Sequence, residues 1–283
     1  LNFHAFMIAE GLGVELEKLR MVQNNTGGTF GYKFCPTMEA LLGAAHMATG
    51  RMVYLKYDYW MSIAYTGKRS PHYYHCKIAA DENGKFLAME NHWLCDHGPY
   101  MEFGDNLVQK GLFCGGGYDI PNMRGEGQLV RTNHSWGAPF RDWGSPQAFF
   151  AGESVVDELA RKMGMDPFEL RYKNLAEPGT TFSWGQEYEV YSFKKLFDMV
   201  KPYYDKAKKR TAENSTPEVK KGVGISLGIF GAGGDGEDVA NAAAELRPDG
   251  GVRIYNTWED HGQGSDGGTL GTATKMAFSA TSD

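Results

Sequence analysis

The sequence predicts an α+β fold, mixed sheets with packed helices, and three observations carry that expectation. Apolar residues recur at helical spacing in several stretches, short β-like runs stand between them, and turn signals fall at the joints without a regular βαβ interval. The chain has 283 residues, 42% of them hydrophobic, enough to fill one large core or two ordinary ones.

The chain enters on a helical pattern (Phe3, Phe6, Met7, Ile8, Leu12), and residues 14–23 read as a strand approaching a glycine-rich segment. Thr37 is placed to cap a helix running to Thr49, apolar at Leu41, Leu42, Ala45 and Ala48 and stopped by Gly50. Residues 52–58 read as β-like. Strands at 73–80 and 85–95 are joined by Asp81-Glu82-Asn83-Gly84, a hairpin signal. Ser145-Pro146 opens a helix through Met163, with Phe149, Phe150, Val155, Val156, Leu159 and Met163 on its apolar face. Asp166-Pro167-Phe168-Glu169 combines a cap, a first-position proline and a third-position glutamate, and so starts a second helix. Ser192 caps a third, to about Lys208.

Segment 211–220 is polar and reads as a linker, dividing the chain into regions 1–210 and 221–283. The last region carries β-like runs at 222–230, 240–247 and 252–258, with a Pro248-Asp249-Gly250-Gly251 turn, and a glycine-rich loop at 260–268 leads into a helix. Both termini stand inside helical patterns, so the fold is expected to be incomplete at both ends.

A net charge of −6 and the absence of a basic cluster argue against nucleic acid; Lys206-Ala207-Lys208-Lys209-Arg210 reads as a solvated helix end. Cys35, Cys76, Cys95 and Cys114 lack metal-site or disulfide-framework spacing and read as reduced thiols. His92-Trp93-Leu94-Cys95-Asp96-His97 gathers metal-capable groups, but a strand would send them to opposite faces. No apolar run approaches membrane-spanning length, so no membrane contact is expected; a cytoplasmic location is expected, with a periplasmic one also compatible.

Glycine is the compositional outlier, with 37 residues, and three segments pair glycines with a polar or aromatic group close to a helix start. Gly27-Gly28-Thr29-Phe30-Gly31-Tyr32-Lys33 lacks P-loop spacing. Trp136-Gly137-Ala138-Pro139-Phe140-Arg141-Asp142-Trp143-Gly144-Ser145-Pro146-Gln147 sets an arginine among aromatics before a helix N-terminus, which suits a planar or anionic ligand. The bland alternative is an arginine paired with Asp142. His261-Gly262-Gln263-Gly264 offers an amide and backbone N–H groups. Gly231–Gly236 matches G-x-G-x-x-G, but the strand and turn that follow read as a meander, not a Rossmann unit.

The three segments, with the Gly164-Met165-Asp166-Pro167 to Arg171-Tyr172-Lys173-Asn174 run, occur in the order found in molybdenum hydroxylases. Over essentially its whole length the chain resembles that family, the xanthine oxidase and aldehyde oxidoreductase group, and most resembles its bacterial aldehyde oxidoreductases. The resemblance implies the first part of a molybdopterin-binding region in a larger oxidoreductase. It implies a molybdenum cofactor with sulfido and oxo ligands, in the molybdopterin cytosine dinucleotide form, and [2Fe–2S] clusters in domains or a subunit outside this chain. The implied reaction oxidises a small-molecule aldehyde to a carboxylic acid with water as the oxygen source; a homodimer is compatible with it.

By motif position, Gly28, Phe30 and Gly31 would approach the pterin and molybdenum ligands, Phe140 would adjoin them, and Arg141 would lie beside the molybdenum oxygens. Gly262, Gln263 and Gly264 would hold the pterin or its phosphate side, and Phe34 and Trp143 would line the substrate channel. No residue here would ligate the metal directly. Relatives that hydroxylate purines carry a glutamate at the position of Phe34, so an apolar or aromatic aldehyde is expected over xanthine. Residues 134–140 lack the cysteine of the carbon monoxide dehydrogenase branch.

Asp142 replaces the family's usual glycine, and Pro139 removes a backbone N–H near Arg141. The family's base glutamate belongs to a Gly-x-Gly-Glu motif that this chain lacks, so neither Glu153 nor Glu259 takes that role and the isolated chain is expected to be inactive. The alternatives are another hydroxylase of N-heterocycles, a catalytically inactive cofactor-binding relative, and a dinucleotide-dependent oxidoreductase using Gly231–Gly236.

Overall fold

The computed structural model describes all residues except 1, 23–25, 101–102, 184, 189, 230–240, 258–259 and 279–283. The described chain forms two compact units, residues 1–66 with 231–283, and residues 67–230. The units therefore do not divide at 211–220, where the polar composition suggested a linker, and a helix covers residues 211–213 of that segment. One unit is discontinuous in sequence, which no local signal announces.

In the discontinuous unit, α1 (Asn2–Leu12) packs against α2 (Glu39–Thr49); Gly43 admits the Leu12 side chain, which would lie 2.5 Å from any Cβ there. The strand expected at 14–23 is absent over its described residues, where a 3-10 turn occupies Leu16–Lys18. Helix α2 starts two residues after Thr37, because the Glu39 carboxylate accepts the Thr37 and Met38 N–H groups at 2.7 and 3.0 Å. Gly50 ends it at φ 65°. Residues 52–58 form no strand; Asp58 caps α3 (Tyr59–Tyr65) by accepting from the Met61 N–H at 2.7 Å. The β4 (Ala242–Leu246) and β5 (Val252–Asn256) hairpin turns at 248–251 as expected, and a π-turn at Asp266–Leu270 leads into α8 (Gly271–Phe278). The Gly231–Gly236 motif lies outside the described residues. The described part of 222–230 holds no strand.

The unit 67–230 is built on a three-stranded sheet. Strands β1 (His72–Ala80) and β2 (Phe86–Asp96) form the expected antiparallel hairpin, with Gly84 at φ 82°. Helix α4 (Gly104–Gln109) and a 3-10 segment at Lys110–Gly115 then carry the chain to β3 (Met123–Val130), which pairs parallel to β2. Helices α5 (Ser145–Met163), α6 (Pro167–Lys173) and α7 (Phe193–Glu213) follow. Asp166 caps α6 by accepting from the Phe168 N–H at 2.8 Å.

The core joins Phe86 and Met89 of β2, Val156 and Ala160 of α5, Phe168 and Leu170 of α6, and Phe193 and Phe197 of α7. Helix α5 buries Ala148, Gly152, Val156 and Ala160, a stripe of small residues, whereas Phe150 is 78% exposed. The expected large apolar face is thus only partly used. At Gly152 a Cβ would stand 1.9 Å from the Cys114 carbonyl oxygen, so the helix sits backbone against backbone there. Among the described residues no helix is long and apolar enough to cross a membrane.

Candidate cofactor site

Among the described residues, four that are not glycine hold left-handed backbone: Phe30 (φ 52°), Phe103 (φ 53°), Asp142 (φ 63°) and Trp143 (φ 50°). Such residues cost free energy and persist where the surroundings over-determine them, above all at functional sites. Three of the four stand in the loops singled out from sequence. The fourth, Phe103, meets the Trp143 ring edge to face at 5.3 Å.

In the discontinuous unit the Gly27–Lys33 segment and the His261–Gly264 loop come together. A Cβ at Gly262 would lie 2.8 Å from the Gly28 nitrogen, and Gly262 itself has φ 98°, so only glycine permits the approach. After Gly28 the chain turns sharply: the Tyr32 N–H donates to the Thr29 carbonyl at 3.1 Å, Gly31 adopts φ 90°, and a 3-10 turn spans Tyr32–Phe34. The turn leaves Phe30 59% exposed. Phe34, 40% exposed, stacks on His261 at 5.8 Å, a pairing that sequence gave no reason to expect.

The His261–Gly264 loop differs from expectation in its donors. The Gly262 and Gly264 N–H groups donate to the Asp260 carboxylate at 2.7 and 3.3 Å, and the Gln263 amide folds back, accepting from the His261 N–H and donating to Ser265 Oγ. Aspartate side chains commonly close such turns on their own backbone. The loop's own carboxylate therefore takes the two donors expected to face a ligand, and Gly262 contributes close backbone approach to Gly28 instead.

In the unit 67–230, residues 136–138 are seated against 67–70. Lys68 and Gly137 form an isolated bridge, and a Cβ at Gly137 would lie 2.3 Å from Ser70 Oγ and 2.2 Å from His97 Nδ1. Ser70 Oγ and His97 Nδ1, both buried, are 2.8 Å apart. Pro139 is fully buried, so its ring is spent on packing. Phe140 and Arg141 then emerge exposed. Asp142, Trp143 and Gly144 continue in left-handed conformation, with the Trp143 N–H donating to the Phe140 carbonyl at 3.0 Å and the Ser145 N–H to the Asp142 carbonyl at 2.9 Å. No Arg141–Asp142 ion pair forms among the described residues. Burial raises the Asp142 carboxyl above its usual range, against Lys110, Ser145 and Arg69, which hold it down. Those three groups, and not Arg141, are the ones that hold it down.

Arg69 is the residue that sequence reasoning missed, since nothing in Gly67-Lys68-Arg69-Ser70 marks it. Its Nη2 donates to the Arg141 carbonyl at 2.9 Å, its Nη1 to Gln147 Oε1 at 3.2 Å, and its guanidinium lies 4.7 Å from the Phe140 ring centroid. His72 lies beside it, with Nδ1 donating to the Ser70 carbonyl at 3.0 Å and Nε2 buried without a partner. Burial first, then the Arg69 charge and His97, lowers the His72 pKa below the ordinary 6.5. The unfolded chain then takes up that proton first. Stability is expected to be flat above neutrality and to fall as pH drops through about 6.5. Denaturant titrations across this range should show the slope, and His72→Gln should remove that part of it.

Each unit by itself offers groups that suit an anionic, planar ligand: the discontinuous unit a backbone cradle closed to any Cβ beside the strained turn at Phe30, and the unit 67–230 an arginine with no ion pair among the described residues before the N-terminus of α5.

Comparison with known proteins agrees. Residues 1–175 and 199–276 match two molybdopterin cofactor-binding domain families. The aldehyde oxidoreductase of Megalodesulfovibrio gigas is 53% identical over 274 residues, 96% of this chain and 30% of that protein. The nicotinate dehydrogenase large molybdopterin subunit of Eubacterium barkeri is 30% identical over 64% of this chain and 43% of its own length. The crystal structure of the aldehyde oxidoreductase from Desulfovibrio desulfuricans superimposes with a TM-score of 0.91 at 55% identity, covering 97% of this chain and 31% of that one. The chain thus spans about a third of these oxidoreductases. With both cofactor-binding matches in the order of the loops described above, the chain belongs to the molybdopterin cofactor-binding family of molybdenum hydroxylases, the xanthine oxidase group.

Proposed function

We propose that this chain is the first part of the molybdenum-cofactor-binding region of an aldehyde oxidoreductase. The observation that carries the reading is the left-handed backbone of non-glycine residues in two of the loops marked by sequence, at Phe30 in one unit and at Asp142 and Trp143 in the other, joined to 53% identity with an aldehyde oxidoreductase. The cofactor, taken as the cytosine dinucleotide form, supplies two-electron oxidation of the substrate carbon with water as the oxygen source. Its electron acceptors would be [2Fe–2S] clusters outside this chain.

The chain's own residues bind and orient. Gly28, Phe30 and Gly31 bring backbone and one aromatic face to the pterin, and Gly262 seats the loop that carries Gln263 and Gly264 against the Gly28 backbone, on the pterin or phosphate side. Phe140 and Arg141 present a ring and a cation, the latter to developing negative charge on oxygen. Phe34 and Trp143 give the substrate side an apolar wall. An inactive relative would follow had Asp142 neutralised Arg141; no ion pair joins the two among the described residues, which supports an active site.

Purification of the complete protein tests the reading. Molybdenum is expected by elemental analysis, with aldehydes turned over in preference to purines; a molybdenum-free protein, or one preferring purines, would overturn it. A sharper result is expected for Phe34→Glu. A carboxylate in an apolar wall is left unpaired by an aldehyde, so kcat/KM for an aromatic aldehyde should fall by about 10²-fold relative to wild type, with N-heterocycle turnover falling less or rising. Steady-state kinetics on both substrates would show it.

A further inference from the structure

We infer that Arg69 is the positioning residue of the Phe140–Arg141 segment, fixing where Arg141 presents its guanidinium. The inference rests on the proposed role of Arg141. Three contacts carry it, and they differ in kind. The Arg69 Nη2 donates to the carbonyl of Arg141 itself at 2.9 Å. Its planar head lies 4.7 Å from the Phe140 ring centroid, within cation–π range. Its Nη1 donates to Gln147 Oε1 at 3.2 Å, and Gln147 Nε2 donates to the Ser70 carbonyl at 3.1 Å, closing a ring of contacts between residues 69–70 and the first turn of α5.

The clamp grips a segment that needs one. Directly after Arg141 come φ values of 63°, 50° and 104°, two of them at non-glycine residues. A backbone in that conformation holds one arrangement only when outside contacts over-determine it. On the N-terminal side, the Lys68–Gly137 bridge and buried Pro139 fix the chain as far as residue 139. On the C-terminal side, α5 fixes it from Ser145. Arg69 reaches the Arg141 carbonyl between these anchors and joins it to α5 through Gln147, while the Phe103 ring packs on Trp143 further along the turn. A lysine does not replace it, because an ammonium lacks the planar fork that donates to two separate acceptors while stacking on a ring.

The test uses the complete protein with Arg69→Ala, Arg69→Lys, Arg141→Ala and the Arg69→Ala/Arg141→Ala double variant. Hydrogen exchange at the Trp143 and Ser145 amides, which bond within this turn, is a readout independent of activity. Both Arg69 variants are expected to keep molybdenum, to speed exchange at these amides, and to lower kcat by about tenfold or more with a smaller change in KM, as misplacement of a fixed group does. In the Arg141→Ala background the Arg69 effect on kcat should vanish. Unchanged exchange and kcat in Arg69→Lys would overturn the inference, as would an equal loss of kcat with and without Arg141. Should Arg69→Ala not fold, Arg69→Lys decides. Wild-type protein without molybdenum or aldehyde turnover would sink the functional reading, while the exchange data would still judge the clamp.

Discussion

Replacing Arg141 by alanine in the complete protein is expected to lower kcat/KM for aldehydes by about 10²–10³-fold, roughly 3–4 kcal/mol of transition-state stabilisation. Molybdenum content and thermal stability should stay near wild type. The side chain is exposed and holds no ion pair among the described residues, and only its carbonyl is gripped, by Arg69. Its removal therefore costs the fold little and the reaction much. Arg141→Lys should fall between, since it restores charge but not the planar fork. A preorganised cation is worth most where charge develops, so the loss should appear in kcat as well as in kcat/KM. If Arg141→Ala turns over aldehydes within tenfold of wild type, Arg141 does not face the reacting oxygens.

What could be read from sequence was what local chemistry decides. The Asp81–Gly84 hairpin, the Asp166-Pro167 helix start and the Gly50 stop each depend on a few neighbouring residues, and each is found where it was expected. Strand β3 was invisible for a physical reason. Glycines weaken a strand pattern, yet Gly125 and Gly127 leave room for Trp93 of β2, whose ring would lie 2.4 Å from a Cβ at Gly127. The requirement sits on another strand, so no window around Gly127 contains it. Helix α5 misled in the opposite direction, because its large apolar residues outshine the Ala148, Gly152, Val156 and Ala160 stripe that makes the contact.

The candidate site was legible as motifs and not as geometry. Gly28, Phe30, Arg141 and Gly262 were marked by residue type and order. The φ values of Phe30, Asp142 and Trp143 were not, since left-handed strain leaves no trace in composition when the residue is not glycine. Arg69 stands 72 residues before Arg141, and only the fold makes them neighbours. Asp260 could have been found, because an aspartate two residues before a glycine in a turn regularly accepts that glycine's N–H.

A second large effect concerns stability. Arg171 has a fully buried side chain that pairs with Glu153 at 2.8 Å and Asp157 at 2.7 Å, while Nη1 and Nη2 also donate to the Pro167 and Glu153 carbonyls. Glu153 accepts further from the Tyr118 hydroxyl at 2.6 Å and the Leu227 N–H at 3.1 Å. Arg171→Met is expected to destabilise the protein by about 3–5 kcal/mol at neutral pH, because it strands the buried Glu153 charge. Burial already holds that carboxyl above its ordinary range despite Arg171. Without the arginine it rises further, so the folded variant takes up a proton before the unfolded chain does. The variant's deficit should therefore be largest at neutral pH and shrink on acidification toward the ordinary carboxylate range. Glu153→Met/Arg171→Met should recover much of the loss, since an apolar pair of similar volume replaces a buried ion pair at little cost. Denaturant titrations of the three proteins at pH 7 and pH 5 decide it; a deficit below about 1 kcal/mol, or one independent of pH, rules out a stranded charge. The network ties α5 to α6 beneath the helix and touches neither Phe140 nor Arg141. The folded fraction of Arg171→Met should keep its aldehyde kcat/KM, which separates the support of the helix from the chemistry presented at its start.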